Sequence, residues 1–237
     1  MDKFVLMKKF LGIIGGMGPE ASYYFYKKII DSTKVTKDQD HLDMVIFNHA
    51  SIPNRNDYLL NQSDVDPFPS LKEDIIKLDK LSASLILMTC NTAHYYHEEL
   101  QKLTNVKILN IIETTTSYLK VNKVKKVLLL ATTATIKLNL YQDALTKYNI
   151  KYEVLEDQDQ EIIMDIIFNQ VKLNKEINEE AFINIIEKYK GKNIDSVVMG
   201  CTELSVLKER LCLSDFYVDP LEVEIRNILN YFDKEIK

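Results

Sequence analysis

Two cysteines of this sequence each come just after a short apolar run and just before small polar residues. Cys90 follows the run at 85–88 and precedes an asparagine and a threonine, and Cys201 follows the run at 196–200 and precedes a threonine. A short apolar run bounded by polar residues is typical of a buried strand, and open α/β sheets bind ligands beyond the carboxyl ends of such strands. We therefore expect both thiols at the ligand-binding edge of a sheet.

Two thiols that face each other across a substrate suit a reaction with two bases. One thiolate removes a proton from carbon while the opposite thiol donates one, and both forms coexist near neutral pH because the ordinary thiol pKa is about 8.5. The α-proton of an amino acid is weakly acidic, so the site must also hold the α-carboxylate with fixed donors. Donors of the right type are the side chains of Asn91, Thr92, Thr132 and Thr202 and the amides after Met17.

Each of these residues also has a purely structural interpretation. A single free cysteine after a strand is more often part of the core, whereas two at matching places in a repeated pattern favour chemistry. The structural interpretation of Arg55, in a Pro-Asn loop, is a solvent-exposed side chain, although its planar guanidinium suits a carboxylate ligand. The structural interpretation of Lys172, at a helix end, is a charge that interacts favourably with the helix dipole. We interpret Cys212 and His94 as structural or supporting residues.

The elements that must position these residues alternate between apolar runs and helical periodicity. In the first half we predict strands at 10–14, 43–47, 85–88 and 106–111 and helices at 21–32, 71–81 and 94–103. Such alternation is typical of a parallel sheet. The first strand leads into a glycine-rich turn that suits an anion at a helix N-terminus but lacks the third glycine of a dinucleotide-binding motif.

The second half repeats this plan, with a strand and small-residue loop at 125–135 and a second cysteine strand, and internal duplication is the simplest account. We predict an α/β fold of two pseudo-symmetric domains, each a four-stranded parallel sheet flanked by helices. Residues 1–110 and 216–237 are expected to form the first domain, and residues 111–215 the second. The active site would then lie in the interdomain cleft, with one cysteine on each wall.

Composition narrows the class of protein further. The 237 residues are 46% hydrophobic and 27% charged, with a net charge of −5 and no basic patch for nucleic acid. No apolar run is long enough for a membrane helix, and lysines interrupt the first nine residues too early for a signal peptide, so we expect a cytoplasmic protein without a membrane partner. Three cysteines without Cys-x-x-Cys spacing predict free thiols, and no metal or cofactor motif is present.

Five motifs, in order along the chain, resemble those of a known family. They are Gly15-Gly16-Met17-Gly18-Pro19, Ile52-Pro53-Asn54-Arg55, Cys90-Asn91-Thr92-Ala93-His94, Ala131-Thr132-Thr133-Ala134-Thr135 and Gly200-Cys201-Thr202-Glu203. These motifs span nearly the whole chain and resemble those of the cofactor-independent aspartate/glutamate racemase superfamily, in its aspartate racemase branch. The resemblance implies a PLP-independent amino-acid racemase, two pseudo-symmetric α/β domains and usually a homodimer.

The same resemblance implies a role for each matching residue. Cys90 and Cys201 correspond to the two acid/base thiols, with Cys90 expected to act on the D-enantiomer and Cys201 on the L-enantiomer. Arg55 and Lys172 fall where the family holds the side-chain carboxylate of an acidic amino acid. The positions that match its binding residues for the α-carboxylate and amino group are Asn91, Thr92, Thr132 and Thr202, with the loop at Met17 and Gly18.

Some positions bear on which amino acid is the substrate. A glutamate racemase would be expected to have Asp-Ser-Gly in the first loop and histidine after Gly-Cys-Thr, whereas Met17-Gly18-Pro19 and Glu203 stand here and favour aspartate. Ala134, Leu138-Asn139 and His49-Ala50 depart from more frequent residues and leave glutamate or a broader range as alternatives. With both cysteines present, we predict reversible racemisation. The alternative outside the enzymes is a member of this superfamily that binds a ligand without catalysing a reaction.

Overall fold

The computed structural model describes residues 9–237, in which seven strands form two parallel sheets. In the first sheet, β1 (Leu11–Gly15) lies between β2 (Met44–Asn48) and β3 (Leu85–Met88). Both neighbours run parallel to β1. Every residue of β1 and β3 is buried, as expected for strands covered by helices on both faces.

The second sheet repeats this arrangement and extends it by one strand. Here β4 (Lys126–Ala131) lies between β5 (Lys151–Glu153) and β6 (Ser196–Gly200), and β7 (Tyr217–Val218) pairs in parallel with the other side of β6. In each half the first strand is central and the third lies beside it, so β3 and β6 are equivalent. The α/β class and the repeated plan predicted from the sequence are confirmed.

Helices connect the strands and cover both sheets. The α-helices are α1 (Pro19–Ser32), α2 (Arg55–Leu59), α3 (Phe68–Lys80), α4 (His97–Gln101), α5 (Ile111–Val121), α6 (Thr133–Lys137), α7 (Leu140–Lys147), α8 (Asp157–Asp165), α9 (Glu179–Lys190), α10 (Thr202–Arg210) and α11 (Pro220–Tyr231). Two 3₁₀ turns lie at Asp38–Asp40 and Thr92–Tyr96, and a π-helical segment at Ile166–Val171 directly continues α8.

Local sequence signals explain several of these helix boundaries. Pro19 stands in the first turn of α1, where its missing N–H removes no hydrogen bond. The side chain of Asn110 accepts hydrogen bonds from the first amides of α5, and the side chain of Asp219 caps α11 in the same way. Gly16 has a positive φ of 85°, and a Cβ at this position would lie 2.4 Å from the carbonyl carbon of His49. The turn after β1 therefore requires glycine there.

The fourth strand predicted for the first sheet is reduced to a single bridge, between Ile86 and Ile108. Side chains of α4 bind the backbone that a longer ladder would use: Gln101 accepts from the amide of Ile108 and donates to the carbonyl of Val106. His97 lies 3.0 Å from the Ile108 carbonyl oxygen. Because α5 begins immediately afterwards, no further strand pairing forms here within residues 9–237, and the prediction of four strands in this sheet was wrong by one strand.

The two halves share an apolar core and are joined at α11. One buried apolar cluster contains residues of both sheets, among them Ile13 of β1 and Leu130 of β4. Helix α11 packs against α5 and also against α1, where the Tyr24 hydroxyl donates a 2.6 Å hydrogen bond to Asp219. The preceding strand β7, which lies in the 216–237 segment expected in the first domain, pairs instead within the second sheet.

No helix within residues 9–237 combines the length and the apolar character required to cross a membrane. The prediction that the first nine residues do not form a signal peptide concerns a segment of which residues 1–8 lie outside the described part of the chain.

Candidate active site

The two cysteines singled out from the sequence line the same small cavity. Cys90 follows β3 and Cys201 follows β6, so the thiols come from equivalent strand ends of the two sheets. Both residues are buried. The turn after β1 adds Met17 to the cavity wall and the turn after β4 adds Thr132, as expected where the carboxyl ends of parallel strands meet.

Most of the predicted binding residues lie on this cavity as well. The complete lining is Met17, Asn54, Arg55, Asn56, Cys90, Asn91, Thr92, Thr132, Phe168, Lys172, Cys201, Thr202 and Glu203. Gly18 does not line it, but a Cβ on Gly18 would lie 2.9 Å from the Glu203 Oε1 atom. The glycine therefore leaves the space that the Glu203 carboxylate occupies.

Four lining residues were not predicted as site residues. Asn54 and Asn56 flank Arg55, and Glu203 follows Thr202, so adjacency to a predicted residue was the available sequence signal. Phe168 lies four residues before Lys172, one turn away on a helix, and the Lys172 ammonium stands 5.1 Å from the centre of its ring. Apart from its position before Lys172, the sequence gives no sign that Phe168 belongs to the site.

Asn91 presents an unpartnered donor to the cavity. Its Oδ1 accepts a 2.6 Å hydrogen bond from the Tyr141 hydroxyl, while its Nδ2 is buried without a hydrogen-bond partner. Burial raises the pKa of Tyr141, which keeps the hydroxyl protonated and donating. A buried amide group that lacks a partner is costly, and a ligand oxygen would satisfy it.

Three threonine hydroxyls form a compact cluster beside Asn91. Thr92, Thr132 and Thr135 lie 3.0 to 3.1 Å apart in each pairing of their hydroxyl oxygens. Thr92 and Thr132 line the cavity, whereas Thr135 supports them from α6. On the opposite wall, the Thr202 hydroxyl donates to the Thr89 carbonyl oxygen at 3.3 Å. The threonine cluster thus brings the hydroxyls of Thr92 and Thr132, from different halves of the chain, together at the cavity wall.

Two cations converge on the backbone of the first turn. The Arg55 Nη2 atom donates to the Met17 carbonyl oxygen at 2.6 Å, and the Lys172 Nζ donates to the same oxygen at 3.3 Å. The Nη1 atom of Arg55 binds the carbonyls of Ile52 and Pro53, which leaves its Nε buried without a partner. An anion reaching this point would therefore meet a guanidinium and an ammonium together.

Cys201, Glu203 and Lys172 form a chain of polar contacts. The Cys201 thiol donates to Glu203 Oε2 at 3.0 Å, and Glu203 Oε1 lies 3.1 Å from the Lys172 ammonium. Burial raises the pKa of the Cys201 thiol well above its ordinary value, and the Glu203 charge raises it further while Lys172 opposes the change. For Lys172, burial lowers the pKa, but attraction to Glu203, Cys201 and Cys90 outweighs it and the net pKa is raised. The ammonium is therefore charged.

His94 is oriented away from acid/base chemistry at Cys90. Its Nδ1 donates to the Cys90 carbonyl oxygen at 2.9 Å, and its Nε2 accepts from the Ile111 amide at 3.3 Å. Burial, with a smaller effect of His97, lowers the pKa of His94 to about 4 and keeps the ring neutral. Cys212, interpreted from the sequence as structural, is exposed at the end of α10 with a positive φ.

The cavity is small and lies beside a larger opening. Its volume of about 20 Å³ corresponds to roughly one water molecule. Asn56 and Phe168 line both this cavity and an adjoining surface pocket of about 380 Å³. These two residues thus belong to the walls of both spaces. Among residues 9–237, no group of three or more His, Cys, Asp or Glu side chains is placed to hold a metal ion.

Comparison with known proteins identifies the family that this fold and cavity represent. The family model for "Asp/Glu/Hydantoin racemase" matches residues 14–227, so the chain belongs to that family and is an isomerase of the racemase type.

Individual relatives differ in the substrates that their names state. The solved Picrophilus torridus aspartate racemase is 30% identical, with a TM-score of 0.84 over 97% of this chain and 96% of that one. The broad specificity amino-acid racemase RacX of Bacillus subtilis is 26% identical over 85% of this chain and 88% of its own length. A glutamate racemase of Hydrogenobaculum sp. is 31% identical over 58% of this chain and 56% of its own. These relatives share the racemase activity in their names and differ in the substrate named.

Proposed function

We propose that this protein interconverts L- and D-aspartate by proton transfer between two cysteines, without a cofactor. The observation that carries the proposal is that Cys90 and Cys201, from equivalent strand ends of the two sheets, line one buried cavity. A two-base racemisation needs one acid/base group on each face of the same carbon atom, and a pair of thiols can fill both positions.

The chemistry follows from this pair. With L-aspartate bound, the Cys201 thiolate removes the α-proton, and the Cys90 thiol donates its proton to the opposite face to give D-aspartate. In the other direction Cys90 removes the proton and Cys201 donates one. We assign stabilisation of the negative charge that develops next to the α-carboxylate to donors of residues that line the cavity, foremost Asn91 Nδ2 and the hydroxyls of Thr92 and Thr132.

The preference for an acidic amino acid rests on the two cations at Met17. Arg55 Nε is buried without a partner, and the Lys172 ammonium lies beside the same backbone carbonyl that Arg55 binds. We assign the side-chain carboxylate of the substrate to these two groups. The 30% identity to the P. torridus aspartate racemase over nearly the whole chain supports aspartate over glutamate.

The proposal is tested by hydrogen exchange at the α-carbon. Incubation of the purified protein with L-aspartate in heavy water, without added cofactor, should yield D-aspartate that carries deuterium at the α-carbon. The same assay with glutamate and neutral amino acids separates an aspartate racemase from a broad-range enzyme. Absence of both inversion and exchange with every amino acid tested would refute racemase activity.

Variants of the thiols test the two-base assignment. Cys90→Ser and Cys201→Ser should each lower kcat by about 100-fold or more, because a serine hydroxyl is a far weaker acid than a thiol and scarcely ionises to a base in the pH range where a thiol does. Cys212→Ser is the matched control, since Cys212 is exposed and outside the cavity, and it should keep full activity. Full activity in all three variants would exclude the cysteine mechanism.

A further inference from the structure

The buried carboxylate of Glu203 contacts both a thiol and an ammonium of the candidate active site. Glu203 is 2% exposed and lies in the first turn of α10, two residues after Cys201. Its Oε2 accepts a hydrogen bond from the Cys201 thiol at 3.0 Å and lies 3.4 Å from the Thr202 hydroxyl oxygen. Its Oε1 faces Lys172 at 3.1 Å. The proposed acid/base chemistry does not by itself require this residue.

We infer that Glu203 is a positioning residue that holds the proton on the Cys201 thiol, and so sets the pH range in which Cys201 can act as a base. This inference rests on the proposed function, in which Cys201 exchanges a proton with the substrate. A thiol that donates to a carboxylate at 3.0 Å keeps its proton, because the thiolate that would form faces a second negative charge.

Lys172 limits this effect from the other side of the carboxylate. Its ammonium neutralises part of the Glu203 charge, and it also attracts the thiolate forms of Cys201 and Cys90. The Tyr141 hydroxyl of α7 is a further titratable group that interacts with Cys201, and burial raises its pKa, so it stays protonated and neutral. The Glu203 carboxylate thus favours the protonated form of the Cys201 thiol, and the Lys172 ammonium favours the thiolate.

Binding of an acidic amino acid would alter this balance. In the proposed function the side-chain carboxylate of the substrate binds Lys172, which shares its charge between Glu203 and the Met17 carbonyl oxygen. As the ammonium turns toward the substrate, the proton affinity of the Glu203 and Cys201 pair rises. Glu203 therefore couples occupation of the side-chain subsite to the protonation of one catalytic thiol.

Titration of the thiol tests this inference without relying on turnover. In a Cys90→Ser, Cys212→Ser background, Cys201 is the chain's one remaining cysteine, so the ultraviolet absorbance of thiolate reports it once the titration of a variant lacking all three cysteines has been subtracted. Adding Glu203→Gln should lower the midpoint of thiolate formation by about one pH unit or more, because the negative charge is removed and Lys172 acts unopposed. An unchanged or higher midpoint would overturn the inference.

Two further variants separate this role from a general disturbance of the fold. Lys172→Met should move the midpoint in the opposite direction, upward, because the Glu203 charge is no longer offset. Glu153→Gln, which removes a carboxylate paired with Lys126 and Lys192 outside the cavity, should leave the midpoint unchanged. Shifts of the same sign in all three variants would also overturn the inference, and circular dichroism confirms that each variant is folded.

A kinetic measurement distinguishes failure of the inference from failure of the proposed function. In the chain with all cysteines intact, Glu203→Gln should shift the pH profile of kcat/KM for aspartate racemisation to lower pH. The rising and falling limbs of that profile both report the coupled titration of the two thiols. A lower thiolate midpoint without racemisation by the unaltered chain would refute the proposed function and leave the role of Glu203 toward Cys201 intact. Racemisation with an unshifted profile would refute the inference alone.

Discussion

Asn91 is a buried side chain whose orientation is fixed by one hydrogen bond. The Tyr141 hydroxyl holds Oδ1 of the amide at 2.6 Å, and this fixes the orientation in which Nδ2 remains without a partner. Tyr141 lies in α7 of the second half of the chain, whereas Asn91 follows β3 of the first. The orientation of this donor therefore depends on contact between the two halves.

Replacing Tyr141 by phenylalanine should lower kcat/KM for aspartate by about tenfold, because the amide of Asn91 loses the contact that orients it. Steady-state kinetics measures the effect. Tyr189→Phe is the matched control, since it also removes a buried hydroxyl but one that contacts Glu156 and Asp159 outside the cavity. An equal loss of activity in the control variant would show that general loss of stability, rather than the orientation of Asn91, is responsible.

At the scale of elements, α11 carries a carboxylate that the proposed chemistry does not use. Glu224 is fully buried, and burial raises its pKa to about 7, with Thr114 and Lys107 lowering it only in part. Because the folded-state pKa lies above the unfolded value, the folded state favours the protonated form. The contribution of Glu224 to the free energy of unfolding is thus greatest below the unfolded pKa and declines as the pH rises from about 4.5 to about 7.

Replacing Glu224 by glutamine should stabilise the protein at pH 8 by at most about 3 kcal/mol and have little effect near pH 4.5. Glutamine is neutral at both values, so it avoids the cost of burying the carboxylate charge. Urea denaturation at the two pH values measures the difference. Glu235→Gln, an exposed carboxylate paired with Lys34, should show no such pH dependence. A variant that is equally or less stable than the unaltered protein at pH 8 would contradict the prediction.

The π-helical segment shows how an irregular element adds a residue to a site. It continues α8 from Ile166 to Val171 and ends directly before Lys172, whose ammonium reaches the Met17 carbonyl of the first half. π-Helical turns inside α-helices are rare and occur frequently at functional sites. The amphipathic pattern of the sequence predicts a helix here but does not distinguish its type.

For the whole molecule, the cavity volume means that substrate binding requires movement. A cavity of about 20 Å³ holds roughly one water molecule, whereas the adjoining pocket of about 380 Å³ is open to the surface. Asn56 of α2 and Phe168 of the π-helical segment line both spaces. An amino acid entering by this route must displace these side chains or separate the segments that carry them.

We therefore expect amide hydrogen exchange to change at these segments when aspartate binds. In the free protein, α2 and the π-helical segment should exchange faster than the buried strands β1 and β3, and saturating aspartate should slow exchange in both segments. Mass spectrometry of peptic fragments measures this. Protection confined to other parts of the chain would show that substrate enters elsewhere. Cys90→Ser, which cannot turn over normally, serves to measure binding alone.

The assembly state also belongs to this scale, and the homodimer stays a prediction based on resemblance to the family. Light scattering coupled to size-exclusion chromatography should give twice the mass of the chain. A mass equal to that of one chain at all protein concentrations would contradict it.

The sequence alone predicted the parts of the molecule that depend on local pattern. Each thiol follows a buried strand, and in a parallel sheet the end of a strand determines which edge its next residue reaches. The repeated order of strands and helices was sufficient to predict the two sheets, and adjacency to a strand end was sufficient for Asn91 and Thr132. These features require only a few consecutive residues and the rule that parallel strands align.

Tertiary structure decided everything that depends on contacts between distant segments. The fourth strand of the first sheet ends as a single bridge because side chains of α4 bind its backbone, which the apolar pattern at 106–111 does not reveal. Lys172 meets the Met17 carbonyl, and Tyr141 meets Asn91, only after the two halves pack together. Glu203 likewise gains its role from Lys172 and from the space left by Gly18. Such contacts are set by packing geometry, which the order of residues along the chain does not display.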